Sequence, residues 1–322
     1  MRAFALALTL IASPALADFP ETVQRHILPG YQALADSTAA LAAEAEKTCD
    51  VAALQPAYNA AYDAWMSVQH LRFGPIETDG RGLAMLYWPD PKGLGAKAQK
   101  ALLAGDPAKL TPAAFGEQSV AARGLLSLER LLYPAEPLAA DPCPLIRATA
   151  TDLAATSAKV LADWQGGFAQ TLSTAGEVGN TVYLTRPEAR QVLFTQLVTG
   201  LEFLDEQRLG RPLGDFAAPH PERAEAHASG RSARNVSLAL QAMRQMVETL
   251  TPDAPKTVAA FDHAIHLAET LDDPAFAGIA DPGKRLKVEI LQQAVDHVRE
   301  LVMSELAPEL DVGIGFNAAD GD

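Results

Sequence analysis

Only two cysteines, Cys49 and Cys143, occur in the 322 residues of this chain. That excludes a disulfide-rich scaffold and any four-cysteine zinc site. Aromatic residues make up 6% of the chain, so most of the core must be aliphatic. No apolar run reaches the roughly 20 residues that a bilayer-spanning helix needs. Basic residues are scarce relative to acidic ones, 26 against 40, which leaves a net charge of −14. So acidic a surface argues against nucleic acid or anionic lipid as partner. It suits cationic ligands or metal ions, although solubility is its simplest use. Familiar hydrolase signatures are missing too, with no His-Glu-x-x-His and no Gly-x-Ser-x-Gly.

What is present begins with an export signal. Arg2 gives a positive start, Ala3 to Ala12 is apolar, and Ala15-Leu-Ala17 is an A-x-A cleavage site. Residues 1–17 therefore read as a signal peptide, with a mature chain beginning at Asp18. No cysteine follows that site, so lipid anchoring is not expected, and the expected location is the periplasm. Losing Arg2 moves the net charge from −14 to −15. An exported chain with two cysteines permits one disulfide, Cys49–Cys143, joining two helix ends.

Abundant Ala and Leu favour helix, and no convincing strand pair appears. Helices are expected over 20–47, with a disturbance at Pro29-Gly30, and over 51–73. In the latter, Leu54, Tyr58, Tyr62, Trp65, Val68 and Leu71 recur at core spacing. A long Gly/Pro loop covers 74–92. Further helices are expected at 112–133, 144–172, 185–209, 232–250, 251–271 and 282–306, with Thr251-Pro-Asp253 as a cap. The fold class is all-α, two tandem helical bundles with a cleft between them, over 18–170 and 171–322. A short echo between Gly124-Leu-x-x-Leu-Glu129 and Gly200-Leu-x-x-Leu-Asp205 is weak support for duplication.

Several segments carry a family likeness. The chain ends Gly313-Ile-Gly-Phe-Asn-Ala-Ala-Asp-Gly-Asp322, an aromatic anchor among glycines and carboxylates. Arg72-Phe-Gly-Pro75, Asp79-Gly-Arg81 and Trp88-Pro-Asp90 form a charged, stiffened loop. Gly124-Leu-Leu-Ser-Leu-Glu129 and Ser229-Gly-Arg-Ser232, just after Glu225, follow in order. Together these resemble the imelysin-like family of bacterial envelope proteins, formerly classed as M75 peptidases. The resemblance implies two related helical bundles with a cleft between them, and a role linked to iron acquisition. It also implies a Gly-x-His-x-x-Glu motif, but here the histidine position is Leu126, which can neither ligate nor exchange a proton. Glu129 then stands without its partner. Pairing of Glu129 with Arg72 or Arg123 is the bland alternative.

The expected ligand-binding groove gathers Arg72, Gly74, Asp79, Arg81, Trp88, Asp90, Gly124, Glu129, Glu225, Ser229, Arg231, Ser232, Asp320 and Asp322. Arginines there can grip an oxyanion bidentately, and Trp88 supplies an apolar wall. Ser229 or Ser232 has a cheaper use as a helix cap, and His70 as a hydrogen-bonded helix end. Asp262, His266 and Glu269 share a helix stripe and are a weak metal candidate, with a solvated face the simpler reading. No catalytic residue is assigned. The expected function is a periplasmic binding or accessory protein for a small molecule or metal chelate. Iron or another divalent metal is the cofactor to consider, and the fold does not require it. The alternatives are a metal-dependent hydrolase using Glu129 with His70 or His227, and a module that binds another envelope protein.

Overall fold

The computed structural model describes residues 18–313. The expected signal peptide and the tail carboxylates Asp320 and Asp322 lie outside the described residues. Within them the chain is all-α, and the sole β pairing is an isolated bridge between Asp215 and Ala218. No described helix is long and apolar enough to cross a membrane.

The first long helix, α1, runs from Phe19–Thr22 through a π-helical turn, Val23–Ile27, into Leu28–Lys47. The π turn ends two residues before Pro29, whose missing N–H interrupts the i→i−4 ladder. Helix α2, Val51–Met66, starts at Asp50, whose carboxylate accepts from the Ala52 N–H at 3.1 Å. Leu54, Tyr58, Tyr62 and Trp65 form its buried stripe, as their spacing predicts. Short helices follow: α3 (Arg81–Met85), α4 (Leu94–Leu103) and α5 (Pro112–Gly116). Then come α6 (Gly124–Leu132) and the long α7 (Cys143–Asp163), which continues through a π turn at Trp164–Phe168 into Ala169–Ser173. Helix α7 packs along α1, which also packs on α2. The Cys49–Cys143 disulfide joins the ends of these elements, with 5.4 Å between the two Cα atoms.

The second half begins with α8 (Arg186–Glu202), closed at its start by a Thr185/Glu188 capping box. It passes into an eight-residue π segment, Phe203–Gly210. Helices α9 (Ser232–Leu250), α10 (Pro255–Glu269) and α11 (Pro282–Leu301) pack in sequence order, and a last π turn covers Val302–Leu306. The halves touch where Phe19–Thr22 packs on α9 and where α2 crosses α9. One hydrophobic cluster runs through both.

Three sequence expectations need correction. The helix expected over 51–73 ends at Met66 and gives way to turns. The helix expected over 112–133 is broken into α5, a 3₁₀ turn at Val120–Ala122, and α6. The physical reason is Gly124, at φ +80°, where a Cβ would lie 2.4 Å from the Ala84 carbonyl oxygen. Thr251 does not cap α10 either. Its hydroxyl accepts from the Asp253 N–H at 3.1 Å, two residues before the helix starts. The first N–H groups of α10 instead donate to the Glu305 carboxylate, Thr257 at 2.7 Å. A charged acceptor from a distant helix outcompetes the local hydroxyl.

An aromatic nest sets the start of the charged loop. Phe73 and Phe168 both meet the fully buried Trp164 edge-on, at 5.6 and 4.9 Å between centroids. Gly74 turns the chain at φ +65°, and a Cβ there would meet the Phe168 ring at 2.5 Å. Burying each of these rings stabilises by about 1.5–3 kcal/mol, so the loop leaves a rigid anchor.

Candidate functional site

The Arg72–Asp90 loop walls a pocket of about 240 Å³ against the end of α2, lined by Trp65, Gln69, Arg72, Glu77, Leu83 and Trp88 among others. Arg72 is anchored through its backbone, whose N–H donates to Gln196 Oε1 at 2.8 Å. Its guanidinium lies 4.4 Å from the centroid of Phe203, and burial lowers its pKa from the ordinary arginine value. Trp88 meets the same ring edge-on at 5.8 Å. Arg208 also lies over it, at 5.0 Å. The π segment explains how one helix supplies both groups, because i→i+5 bonding stacks residue 208 above residue 203.

Arg208 is fully buried, and so is its partner Glu225. Two hydrogen bonds join them, at 2.6 and 3.1 Å. Arg208 also donates to Gln69 Oε1 at 3.3 Å, and Asn235 donates to Glu225 at 3.1 Å. Beside this pair, Arg231 donates to Asn59 Oδ1 at 2.7 Å and to Asp63, and lies 4.7 Å over the Tyr62 ring. Burial pushes the Asp63 carboxyl up, but Arg234 and Arg231 outweigh it and hold it below the ordinary aspartate value.

Glu129 faces Ser229 across the chain. Its Oε1 accepts from the Ser229 N–H at 2.8 Å and from the Ser229 hydroxyl at 2.6 Å. The carboxyl is 6% exposed, and burial pushes its pKa up, with the two Ser229 hydrogen bonds and Arg130 opposing and nearby Glu225 adding to the rise. The alternative pairings of Glu129 are therefore not formed. Arg123 is bidentate to Asp152 at 2.8 Å, and the Arg72 guanidinium lies on Phe203. Leu126 is a buried core residue.

Other residues expected in the groove are committed elsewhere. Arg81 is buried, donating to the Pro75 carbonyl at 2.9 Å and to Asp163 at 2.7 Å, and does not line the pocket. Asp79 sits outside, 3.9 Å from Arg81 and 3.8 Å from Lys159. Asp90 caps α4, accepting from the Leu94 and Gly95 N–H groups at 2.9 and 2.7 Å. Neither Ser229 nor Ser232 caps α9. The Ser232 hydroxyl reaches back to the Glu225 carbonyl at 2.7 Å, and the Ala233 N–H of the first turn donates to the Pro274 carbonyl at 2.9 Å. On α10, Asp262 pairs with Arg244 at 2.7 Å and Glu269 accepts from Gln241 at 2.8 Å. Among the described residues, no group of three or more His, Cys, Asp or Glu is placed to hold a metal ion.

Sequence reasoning missed a buried histidine pair. His70 does not cap a helix end. Its Nε2 lies 3.1 Å from His26 Nε2, and His26 Nδ1 lies 3.1 Å from Gln245 Oε1. Protons on His26 Nδ1 and His70 Nε2 satisfy this row. Burial depresses both imidazoles, His26 to about 4 and His70 well below its ordinary value. The available signal was His26 itself, set on the apolar stripe of Val23, Ile27 and Tyr31. Phe203, Arg208 and Gln69 were missed as well, and Trp65 was read as core alone.

Comparison with known proteins agrees with this architecture. The sequence profile of the imelysin family, peptidase class M75, matches residues 27–302. Iron-regulated protein A of Synechococcus elongatus is 23% identical over 317 residues, covering 89% of this chain and 84% of its own. An imelysin-like protein from Psychrobacter arcticum has a crystal structure similar at a TM-score of 0.77, with 19% identity, 92% of this chain and 96% of its own covered. That of an iron-regulated protein A precursor from Parabacteroides distasonis gives 0.65, at 14% identity, with 89% and 93% covered.

Proposed function

The chain belongs to the imelysin family, and we propose that it is a non-catalytic binding or accessory protein of the cell envelope, acting in iron supply. The ligand is a small molecule or a metal chelate. It binds in a pocket lined by the N-terminal bundle, 18–170, and backed by residues of the C-terminal bundle, 171–322. The observation that carries this reading is the pocket between α2 and the Arg72–Asp90 loop, where Arg72 and Glu77 stand among the apolar side chains of Leu71, Leu83, Leu86 and Trp88. Elements of both halves support it. Gln196 holds Arg72, Phe203 underlies Arg72 and Trp88, and Arg208 holds Gln69. The iron link rests on the Synechococcus relative's name. The Cys49–Cys143 disulfide agrees with an oxidising compartment.

A resident catalytic metal does not fit the residues present. Leu126 stands where the family's imidazole would be, and Glu129 Oε1 is held by Ser229. A chelate that arrives with its own ligands is cargo, and needs only hydrogen bonds and an apolar wall.

The test is thermal unfolding and equilibrium dialysis of the chain from Asp18 onward, with ferric citrate, citrate alone and ferrous iron alone. Saturable binding of the chelate, lost in Trp88→Ala, is expected. A ligand at a hundredfold excess over its Kd adds about 2.7 kcal/mol of stability. Chelator-sensitive peptide cleavage by the pure protein, abolished in Glu129→Ala, would overturn the non-catalytic reading. Absence of binding by all three probes would overturn the iron-chelate reading.

A further inference from the structure

We propose that a second pocket, beside α4, takes a small apolar molecule that carries an oxygen acceptor, and that Arg130 is the donor that reads it. The inference goes beyond the binding role above, and the two pockets share no residue. The cavity measures about 580 Å³, inside the roughly 300–1,000 Å³ of small-molecule sites, against about 240 Å³ for the pocket beside Trp88. It is lined by α4, by the end of α6 and by the segment that follows to residue 140, with Ala228 reaching it from the second half. The wall is mostly apolar: Leu103, Leu138, Pro134, Pro137 and several alanines. Alanine and proline lose no side-chain freedom when covered, so a ligand seated on them costs little ordering. Lys100 and Glu136 also line the cavity, both exposed and of opposite sign, and together they set no preference for net charge.

Arg130 is the polar group built into this wall. It is half-buried in the last turn of α6. Its Nε donates to Gln99 Oε1 at 3.1 Å, and its Nη2 donates to the Ala121 carbonyl at 3.4 Å. The orientation of Gln99 is determined at both ends. Its Nε2 donates to the Ser127 carbonyl at 2.7 Å, which can only accept, and Arg130 can only donate. Gln99 is 4% exposed, so the frame is packed in place. Gly95 makes the room, since a Cβ there would stand 2.9 Å from Arg130 Nη2. Two of the three guanidinium nitrogens are thereby committed. Nη1 makes no hydrogen bond among the described residues, and it stays accessible. Arg130 also makes no ion pair within 4.0 Å among them. Asp90 and Glu129 act on it only through space, because Asp90 is tied to the Leu94 and Gly95 N–H groups and Glu129 to Ser229. A guanidinium has no acceptor, so a ligand end that can only donate is refused.

The experiment uses four probes of one skeleton on the chain from Asp18 onward. Methyl naphthyl ketone and naphthoate carry an oxygen acceptor, naphthalene carries none, and naphthylmethylamine is protonated and only donates. Binding is read by equilibrium dialysis with the naphthalene absorbance. The two acceptor probes should bind saturably, naphthalene at least tenfold more weakly, and the ammonium probe not at all. A tighter ketone would assign a neutral ligand, and a tighter naphthoate an anionic one; both keep the acceptor. Arg130→Met should bring the acceptor probes down to the affinity of naphthalene and leave naphthalene unchanged, which a merely structural arginine would not do. Ala104→Trp lies at an exposed lining position, apart from the Arg130 frame, and should block the acceptor probes and naphthalene alike. Circular dichroism checks that both variants are folded. Equal binding of naphthalene and the acceptor probes, saturable binding of the ammonium probe, or only non-saturable uptake would overturn the inference. So would an unchanged preference in folded Arg130→Met, or undiminished binding in Ala104→Trp. Ferric citrate binding beside Trp88 is a separate titration, so either reading can fail without the other.

Discussion

Acidification should unfold this protein through two buried histidines before its carboxylates matter. His26 is 3% exposed and His70 1%, and their ring nitrogens meet at 3.1 Å. Burial lowers the His26 pKa from 6.5 to about 4, and lowers that of His70 in the same direction. The unfolded chain therefore binds more protons than the folded one below pH 6.5. Stability contributed by the neutral pair is complete above pH 6.5 and is lost as the pH falls towards 4. For His26 alone the loss comes to about 3 kcal/mol, at about 1.4 kcal/mol per pH unit. His70 adds to it, because a second charge would be created beside the first and near Arg208. Asp18 and Asp63, held below the ordinary aspartate value by arginines, lose their contribution only at still lower pH. Glu129, pushed up by burial, acts in the opposite sense and offsets part of the loss as it protonates. The assay is urea unfolding between pH 7.5 and 4.5, for the wild type and for His26→Gln. The wild-type slope below pH 6.5 should exceed that of the variant by about one proton. Equal slopes, or an NMR titration in which His26 protonates near pH 6.5, would refute the reasoning.

Three further outcomes are expected. Reduction of Cys49–Cys143, or Cys143→Ser, should lower stability by about 2–4 kcal/mol in denaturant titrations. Equal midpoints with and without reductant would contradict that. Arg208→Met should cost about 3–5 kcal/mol by stranding the buried Glu225 carboxylate, and adding Glu225→Leu should restore most of the loss; a double variant no more stable than the single one would show that the pair is not coupled. Gly124→Ala should destabilise by well over the roughly 1 kcal/mol of an ordinary Gly/Ala exchange, or abolish soluble expression, because φ is +80° and the Ala84 carbonyl blocks the added methyl. A melting temperature within a degree of the wild type would show that the turn relaxes.

Local signals made most of the helices legible. Asp50, Thr185 and Asp281 cap the helices that follow them, and a cap of this kind is decided within four residues. The break at Gly124 was harder, because the obstacle is a carbonyl forty residues earlier in the chain. In the site, Glu129 and Ser229 were singled out together, and they are in contact. Arg81 and Asp90 looked equally suited to a ligand, yet an inward charge satisfied by Asp163 and a cap for α4 have the same one-dimensional appearance. Phe203, Arg208 and Gln69 carried no pattern at all. Their roles arise from a π segment and from pairings across 139 residues, which no spacing rule encodes. Trp65 has the spacing of a core residue and is one.

Five of the polar links between the two halves involve buried or half-buried partners. Arg231 to Asp63, Ser229 to Glu129, Gln245 to His26, Gln196 to the Arg72 N–H, and Arg208 to Gln69 each join a residue after 186 to one before 130. Apolar packing of similar shape at these places would be as stable or more so, because a buried ion pair such as Arg208–Glu225 gains little over a hydrophobic substitute. What apolar contacts cannot do is fix direction. A hydrogen bond sets the orientation of an amide, a tautomer or a guanidinium, and four of these five links do so. Gln69 shows the consequence most directly: without Arg208 its amide could lie either way round, and with Arg208 its oxygen is fixed as the acceptor. The buried charge therefore fixes the orientation of Gln69 behind the pocket, at a cost in stability that the continuous hydrophobic core is large enough to absorb.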